Sequence, residues 1–200
     1  SINFFSKKYL EHINIWENIE QNTIVPYNKI EIYKKASKTL SFDAKDINID
    51  HLGYIINEDE LVKATTEIIL SKKDLSSVLN DSNNNQSIDA NIISDYKDVD
   101  LGIQSKNFVS KDYNQTAINI NIIHKNSNNN IPRQIFYSNE ILGFLPVNEY
   151  CYNLIWSMPN KLFKKLSFEN IKKCKTHIEE RANFILGNIK EINIGKSFPL

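Results

Sequence analysis

The sequence predicts an α+β fold in which a mainly antiparallel sheet is flanked by helices. Apolar and polar residues alternate strictly over residues 117–122, which indicates a strand with one buried face. Two further strand patterns, at 141–147 and 152–156, are separated only by a short turn, which favours antiparallel pairing. Apolar residues at helical spacing over 171–186 predict a long helix beside these strands.

The first element in chain order is an amphipathic helix over residues 6–20, with Ser6 as its expected N-cap. Its apolar residues recur at steps of three and four: Tyr9, Leu10, Ile13, Trp16 and Ile19. These side chains share one face, so we expect the helix to bury that face.

A β-hairpin is expected after the break at Pro26. Ile30 and Ile32 alternate with polar residues, and Leu40 and Phe42 alternate again after a short connection. Two strands joined by a tight turn explain both runs.

A short strand pattern at 53–56 leads into a second helix, which Asn57 is expected to cap. One face of this helix is apolar: Leu61, Ala64, Ile68 and Ile69. Three acidic residues at 58–60 occupy its positive end, and the helix dipole explains them better than acid–base catalysis does.

Residues 71–111 are expected to form a loop-rich connection that contains an asparagine-rich run at 80–86 and a short strand candidate at 88–93. The acidic stretch 95–100 lacks the glycine and the closing glutamate of a calcium-binding loop at the required offsets. A solvated turn is therefore the better interpretation.

Two helices, at 162–166 and 171–186, and a last strand from residue 189 complete the pattern, with Gly187 ending the second helix. The expected inner stripe of that helix is Ile171, Cys174, Ile178, Ala182, Ile185 and Leu186.

The whole chain, 1–200, is predicted to be one truncated domain, divided into 1–70, the connection 71–111, and a sheet-forming part 112–200. The 24 basic and 24 acidic residues give no net charge, so no overall field attracts nucleic acid or an anionic membrane. No apolar run is long enough to cross a bilayer, and a cytoplasmic location is expected, with peripheral attachment to the inner membrane as the alternative.

Residue usage excludes several kinds of site. The five glycines are separated by at least eight positions, so no glycine-rich phosphate loop can form: Gly53, Gly102, Gly143, Gly187 and Gly195. Cys151 and Cys174 are expected to be reduced thiols, and the four histidines lack metal-ligand spacing. No metal site is predicted.

Five features follow one another along the chain: LEHINIW at 10–16, LGYII at 52–56, DYNQTA at 112–117, LGFLPV at 142–147 with IWSMP at 155–159, and SFPL at 197–200. In this order they resemble segments of the ubiquinone-biosynthesis hydroxylases, which are FAD-dependent aromatic monooxygenases with the p-hydroxybenzoate hydroxylase fold.

The family binds FAD through an N-terminal GxGxxG, a central Asp-Gly segment and a C-terminal GDAAH-like motif, and this sequence contains none of them. Where the central motif is expected, residues 94–102 lack the Asp-Gly pair. The resemblance therefore implies the substrate-side sheet and its helices without the flavin-binding Rossmann part, and FAD bound weakly if at all.

Four residues carry the resemblance and are the candidate substrate-side residues: Tyr113, Gln115, Pro146 and Trp156. For Pro146 and Trp156, a purely structural role in the core is the stronger alternative. No catalytic residue is assigned, because in such enzymes the reduced flavin activates oxygen and the protein supplies the pocket.

The implied function is to bind a polyprenylated aromatic ring that is hydroxylated in ubiquinone biosynthesis, in a chain that is incomplete or inactive alone. The alternatives are a non-catalytic binding or assembly protein derived from that family, and an unrelated α+β binding domain. The expected partners are a prenylated aromatic molecule, a flavin-domain chain or other ubiquinone-pathway proteins, and a second copy of the chain. We expect strands 116–123 and 142–147 to present an open apolar face of Ile and Phe to that ring.

Overall fold

The computed structural model describes residues 1–71, 112–127, 129–166, 168 and 170–200. Its elements are β1 (Ile2–Asn3), α1 (Phe4–His12), β2 (Val25–Tyr27), β3 (Lys29–Lys34), β4 (Ser37–Asp43), β5 (Gly53–Ile55), α2 (Glu58–Ser71), β6 (Gln115–His124), β7 (Arg133–Phe136), β8 (Ile141–Asn148), β9 (Cys151–Pro159), α3 (Asn160–Leu166), α4 (Ile171–Leu186) and β10 (Ile189–Pro199). A small sheet has the order β1-β5-β2, and a large sheet has the order β10-β6-β9-β8-β7-β3-β4.

The predicted α+β class is confirmed. Among the described strands, every neighbouring pair is antiparallel except β3 and β7, which run parallel. The three strands that the alternation pattern predicts are β6, β9 and β8, and they are neighbours at the centre of the large sheet. In the described part of the chain, no helix is both long and apolar enough to cross a membrane.

One face of the large sheet forms the main core. Ile118, Trp156 and Leu142 lie side by side across β6, β9 and β8, and each is almost fully buried. The buried stripe of α4 packs into the same cluster: Cys174, Ile178, Ala182 and Leu186. Each large apolar side chain buried here contributes about 1.5–3 kcal/mol of hydrophobic free energy. We call this surface the helix-covered face.

The first helix is shorter than the predicted 6–20. It ends at His12, because Asn14 adopts a left-handed conformation with φ of 59°. Its N-cap is Asn3, whose side chain accepts a hydrogen bond from the Ser6 amide, so the predicted cap is wrong. Short 3-10 turns follow, and the buried residues of this region lie there: Ile15, Trp16 and Ile19.

The predicted hairpin is confirmed as β3 and β4, with Ile30 opposite Phe42 and Ile32 opposite Leu40. The turn between the strands places Lys35 in the left-handed region, with φ of 55°. Leu40 and Phe42 remain about half exposed, since β4 is the edge strand of the large sheet.

Two other predicted helix ends, the start of α2 and the end of α4, are confirmed, whereas α3 begins two residues before the predicted 162. The Asn57 side chain accepts a hydrogen bond from the Asp59 amide at the start of α2. Gly187 ends α4 with φ of 60°. Ile171 is an exception to the predicted stripe of α4: it lies at the first residue of the helix and is 59% exposed.

Three strands of the structure were not predicted: β1, β2 and β7. They contain only two to four residues, so no period can be recognised in them. The predicted features at 80–86, 88–93 and 95–100, and the segment 94–102, lie outside the described residues.

Gly53 is expected to tolerate no side chain. A Cβ at this position would lie 2.4 Å from the Tyr27 hydroxyl and 2.7 Å from the Ile2 carbonyl oxygen. We expect Gly53→Ala to lower the free energy of unfolding by about 1–3 kcal/mol, measured by urea denaturation. Gly143→Ala is the matched control, since its Cβ would meet only the Ile155 carbonyl oxygen at 3.8 Å. Equal stability of the two variants would contradict this account.

Candidate ligand-binding cleft

A cleft of about 800 Å³ lies between the second face of the large sheet and the small sheet. Strands β6, β8 and β9 supply one wall, and β2, β5 and the start of α2 supply the other. The two sheets are joined at its floor, where Leu145 of β8 packs against the cluster formed by Val25, Tyr27 and Ile55. We call this surface of the large sheet the cleft face.

Strand alternation brings asparagines to the cleft face. Ile118, Ile120 and Ile122 point into the helix-covered core, so Asn119 and Asn121 point the other way. Asn153 of β9 lies directly opposite Asn121.

Asn153 bridges the other two side chains. Its Nδ2 donates to Asn119 Oδ1 at 2.6 Å and to Asn121 Oδ1 at 2.8 Å. No hydrogen bond within the described part of the chain uses the Nδ2 groups of Asn119 and Asn121 or the Oδ1 of Asn153. Two donors and one acceptor therefore face the cleft with fixed geometry.

Aliphatic side chains complete the wall beside these amides. Ile155 of β9 is 37% exposed and Val147 of β8 is 43% exposed, although these two strands lie at the centre of the large sheet. On the opposite side, Val25, Ile55 and Ile56 contribute further aliphatic surface. Apolar walls with a few placed polar groups are typical of sites for small molecules.

The predicted site residues are not brought together. Gln115 lies opposite Pro159 at one end of β9, and Pro146 lies opposite Tyr152 at the other end. Their partners Pro159 and Tyr152 are seven residues apart along β9, which corresponds to about 23 Å. Tyr113 precedes β6 and is 64% exposed.

Trp156 lies on the helix-covered face, where it is fully buried and its Nε1 donates to Glu140 Oε2 at 3.0 Å. Pro146 is buried as well. None of the four predicted residues, Tyr113, Gln115, Pro146 and Trp156, lines the cleft that we describe. Their role on the substrate side stays a prediction.

The expectation of an open apolar face on β6 and β8 is wrong. Ile118, Ile120 and Ile122 of β6, together with Leu142 and Phe144 of β8, are covered by α3 and α4. On the cleft face, β6 presents Asn119 and Asn121, whereas β8 presents Leu145, Val147 and Asn148. The repeated asparagines between isoleucines at 118–122 were the signal that could have identified this face.

A buried ion cluster lies on the helix-covered face, outside the cleft. Glu31 accepts hydrogen bonds from Tyr33 at 2.8 Å, from Lys38 at 3.1 Å and from Arg133 Nε at 2.9 Å. Arg133 also donates to the Tyr152 hydroxyl. Burial by itself raises the pKa of Glu31, but these hydrogen bonds outweigh it and hold the pKa at about 2. Each polar group is engaged, which indicates a structural role.

His124 is buried beside this cluster and stacks on Tyr152, with ring centroids 5.2 Å apart. Neither ring nitrogen has a hydrogen-bond partner among the described residues. Burial lowers the pKa of His124 and the charge of Arg133 lowers it further, which together outweigh the opposite effect of the Asn126 backbone. The imidazole is therefore neutral at pH 7 and belongs to the core.

The four glycines among the described residues do not form a glycine-rich phosphate loop. Gly53 is packed against Tyr27, Gly187 ends a helix, and Gly143 and Gly195 lie within strands. Helix α2 begins with three acidic residues, which disfavour a phosphate at its N-terminus.

No protein-family model matches the chain, and no curated protein matches its sequence. Solved structures match it across nearly its whole length. CmlS, a flavin-dependent halogenase, is 13% identical with a TM-score of 0.61, over 97% of this chain and 42% of CmlS. PqsL, a probable FAD-dependent monooxygenase from Pseudomonas aeruginosa, is 10% identical with a TM-score of 0.58, over 94% of this chain and 60% of PqsL.

A flavoprotein/dehydrogenase from Cytophaga hutchinsonii is 10% identical with a TM-score of 0.57, over 98% of this chain and 56% of its own. The chain thus spans 42 to 60% of the length of these three structures. At this level of identity the likeness concerns the fold. Over nearly its whole length, the chain is similar in fold to part of each of these flavin-dependent proteins and flavoproteins.

Proposed function

We propose that this chain is the substrate-side portion of an FAD-dependent monooxygenase-like protein and that it binds a small ring compound in the cleft. The observation that carries the proposal is the cleft itself, about 800 Å³ in volume and lined by amides and aliphatic side chains. Pockets for small molecules measure roughly 300–1,000 Å³ and have this mixed lining.

The fold supports the same proposal. PqsL, which is similar in fold, has been solved in complex with 2-aminobenzoylacetate, a small molecule that contains a ring. In this chain, the aliphatic residues Leu145, Val147 and Ile155 would hold the ring and exclude water from it. The free amide groups of Asn119 and Asn121 would orient its polar substituents.

The amide lining favours a ring with polar substituents over a polyprenylated one, because an apolar chain would remove water from the free amide groups without offering them hydrogen-bond partners. Hydroxylation of a ubiquinone precursor stays a prediction from the sequence resemblance. A second candidate function is ligand binding without catalysis, which is favoured by a sequence that contains no glycine-rich phosphate motif.

Filling the cleft is expected to weaken binding. We expect Ile155→Trp to fill the space beside Asn153 and to weaken the binding of benzyl alcohol about tenfold or more, measured by NMR titration of the ¹⁵N-labelled chain. Ile123→Trp is the matched control, because Ile123 lies on the same sheet face and is similarly exposed, 39% against 37%, but does not line the cleft. If neither variant changed the affinity, or if benzyl alcohol shifted no Asn119 or Asn153 signal, the proposed site would be wrong.

A further inference from the structure

We infer that the cleft selects a ring compound that carries a cationic amine and discriminates against carboxylates. The inference rests on the proposed function, since it names the chemical class of ligand for the same cleft. Two carboxylates, Glu58 and Glu60, line the cleft at the start of α2, whereas no Lys, Arg or His side chain of the described residues lines it.

Both carboxylates are available to a ligand. Within the described part of the chain, no ion pair or side-chain hydrogen bond engages Glu58 or Glu60. The remaining acidic residue of this turn, Asp59, does not line the cleft. The helix N-terminus carries only about half a positive charge, so three adjacent carboxylates leave the turn negative.

The opposite wall contributes acceptors and neutral donors. Asn153 Oδ1 can accept a hydrogen bond from an ammonium group, and the Nδ2 groups of Asn119 and Asn121 suit a hydroxyl or carbonyl substituent of the ring. A carboxylate in the cleft would lose water and meet no cationic side chain in the described lining, at a cost in free energy. An amine at one end of the ring and a neutral oxygen at the other fit this lining best.

The test compares three probes of similar size: benzylamine, benzyl alcohol and benzoate. Dissociation constants are measured at pH 7 and low salt by NMR titration of the ¹⁵N-labelled chain. The α-amino group of Ser1 is acetylated, because Ser1 also lines the cleft. We expect benzylamine to bind at least about fivefold more tightly than benzoate, which corresponds to two partly exposed charge pairs.

Variants locate the charge that selects the ligand. Glu58→Gln and Glu60→Gln are each expected to reduce the preference for benzylamine, and the double variant to remove it. Asp59→Asn, which removes one charge from the same turn outside the lining, is the matched control and should keep the preference.

The outcomes separate this inference from the proposed function. If all three probes bound with equal affinity, the cleft would stand as a binding site and its charge selectivity would be wrong. An equal loss of preference in Asp59→Asn and Glu60→Gln would also overturn the inference, since it would indicate a long-range field. If no probe bound, the proposed function itself would fail.

Discussion

Glu140→Ala is expected to lower the free energy of unfolding by about 3–5 kcal/mol, because it removes the buried counter-charge of a largely buried arginine. Glu140 accepts hydrogen bonds from Arg181 Nε at 2.8 Å and Nη2 at 3.2 Å. The carboxylate also accepts from Trp156 Nε1, so the change removes partners from two buried donors. The two ionic side chains are only 12% and 18% exposed. Urea denaturation followed by tryptophan fluorescence measures the loss.

Glu180→Ala is the matched control for this pair. Glu180 lies 3.7 Å from the same guanidinium, but its side chain is 60% exposed. Water screens such a pair, and its removal is expected to cost less than about 1 kcal/mol. The double change Glu140→Leu with Arg181→Met should recover much of the stability, because no charge is then buried alone. Equal losses in Glu140→Ala and Glu180→Ala would contradict the burial argument.

Acid is expected to weaken the protein through Glu31. The ion pairs and hydrogen bonds hold the pKa of Glu31 at about 2, against an ordinary value of 4.5. The unfolded chain therefore binds a proton at a higher pH than the folded chain. The stability that the ionised group contributes is fully present above about pH 5 and is lost as the pH falls toward 2. The pKa difference corresponds to about 3 kcal/mol.

Comparison with Glu31→Gln isolates this effect. We expect Glu31→Gln to be less stable than the natural sequence at pH 6, and the difference to shrink as the pH falls from 5 to 2, measured by urea denaturation at each pH. Glu191→Gln removes an exposed carboxylate from the same sheet and is the control. If the gap between Glu31→Gln and the natural sequence did not depend on pH, the assigned ionic cluster would be wrong.

The ionic clusters could not be predicted from the sequence. Glu31 and Arg133 are separated by 102 positions, and Glu140 and Arg181 by 41. No local pattern relates such residues, and a charged residue in a strand or helix is exposed in most cases. Only the parallel pairing of β3 with β7 brings Glu31 opposite Arg133.

Some of the fold followed directly from residue order. Alternation over 117–122 identified β6, and helical spacing over 171–186 identified α4 with its terminating Gly187. These signals are local, because the side-chain period of a strand or helix depends only on its own backbone geometry. The first helix was overestimated, since apolar spacing continues past Asn14 although the backbone reverses its handedness there.

The sequence by itself determined the α+β class, the main strands and the positions at which apolar and polar residues alternate. It also determined that no glycine-rich phosphate loop can form in this chain. The tertiary structure decided which face of β6, the isoleucine face or the asparagine face, lines the cleft. Packing of α3 and α4 on the isoleucine side of β6 left Asn119 and Asn121 opposite the small sheet. The packing of the elements decides this, because alternation places every second residue on each face of a strand but does not specify what packs against either face.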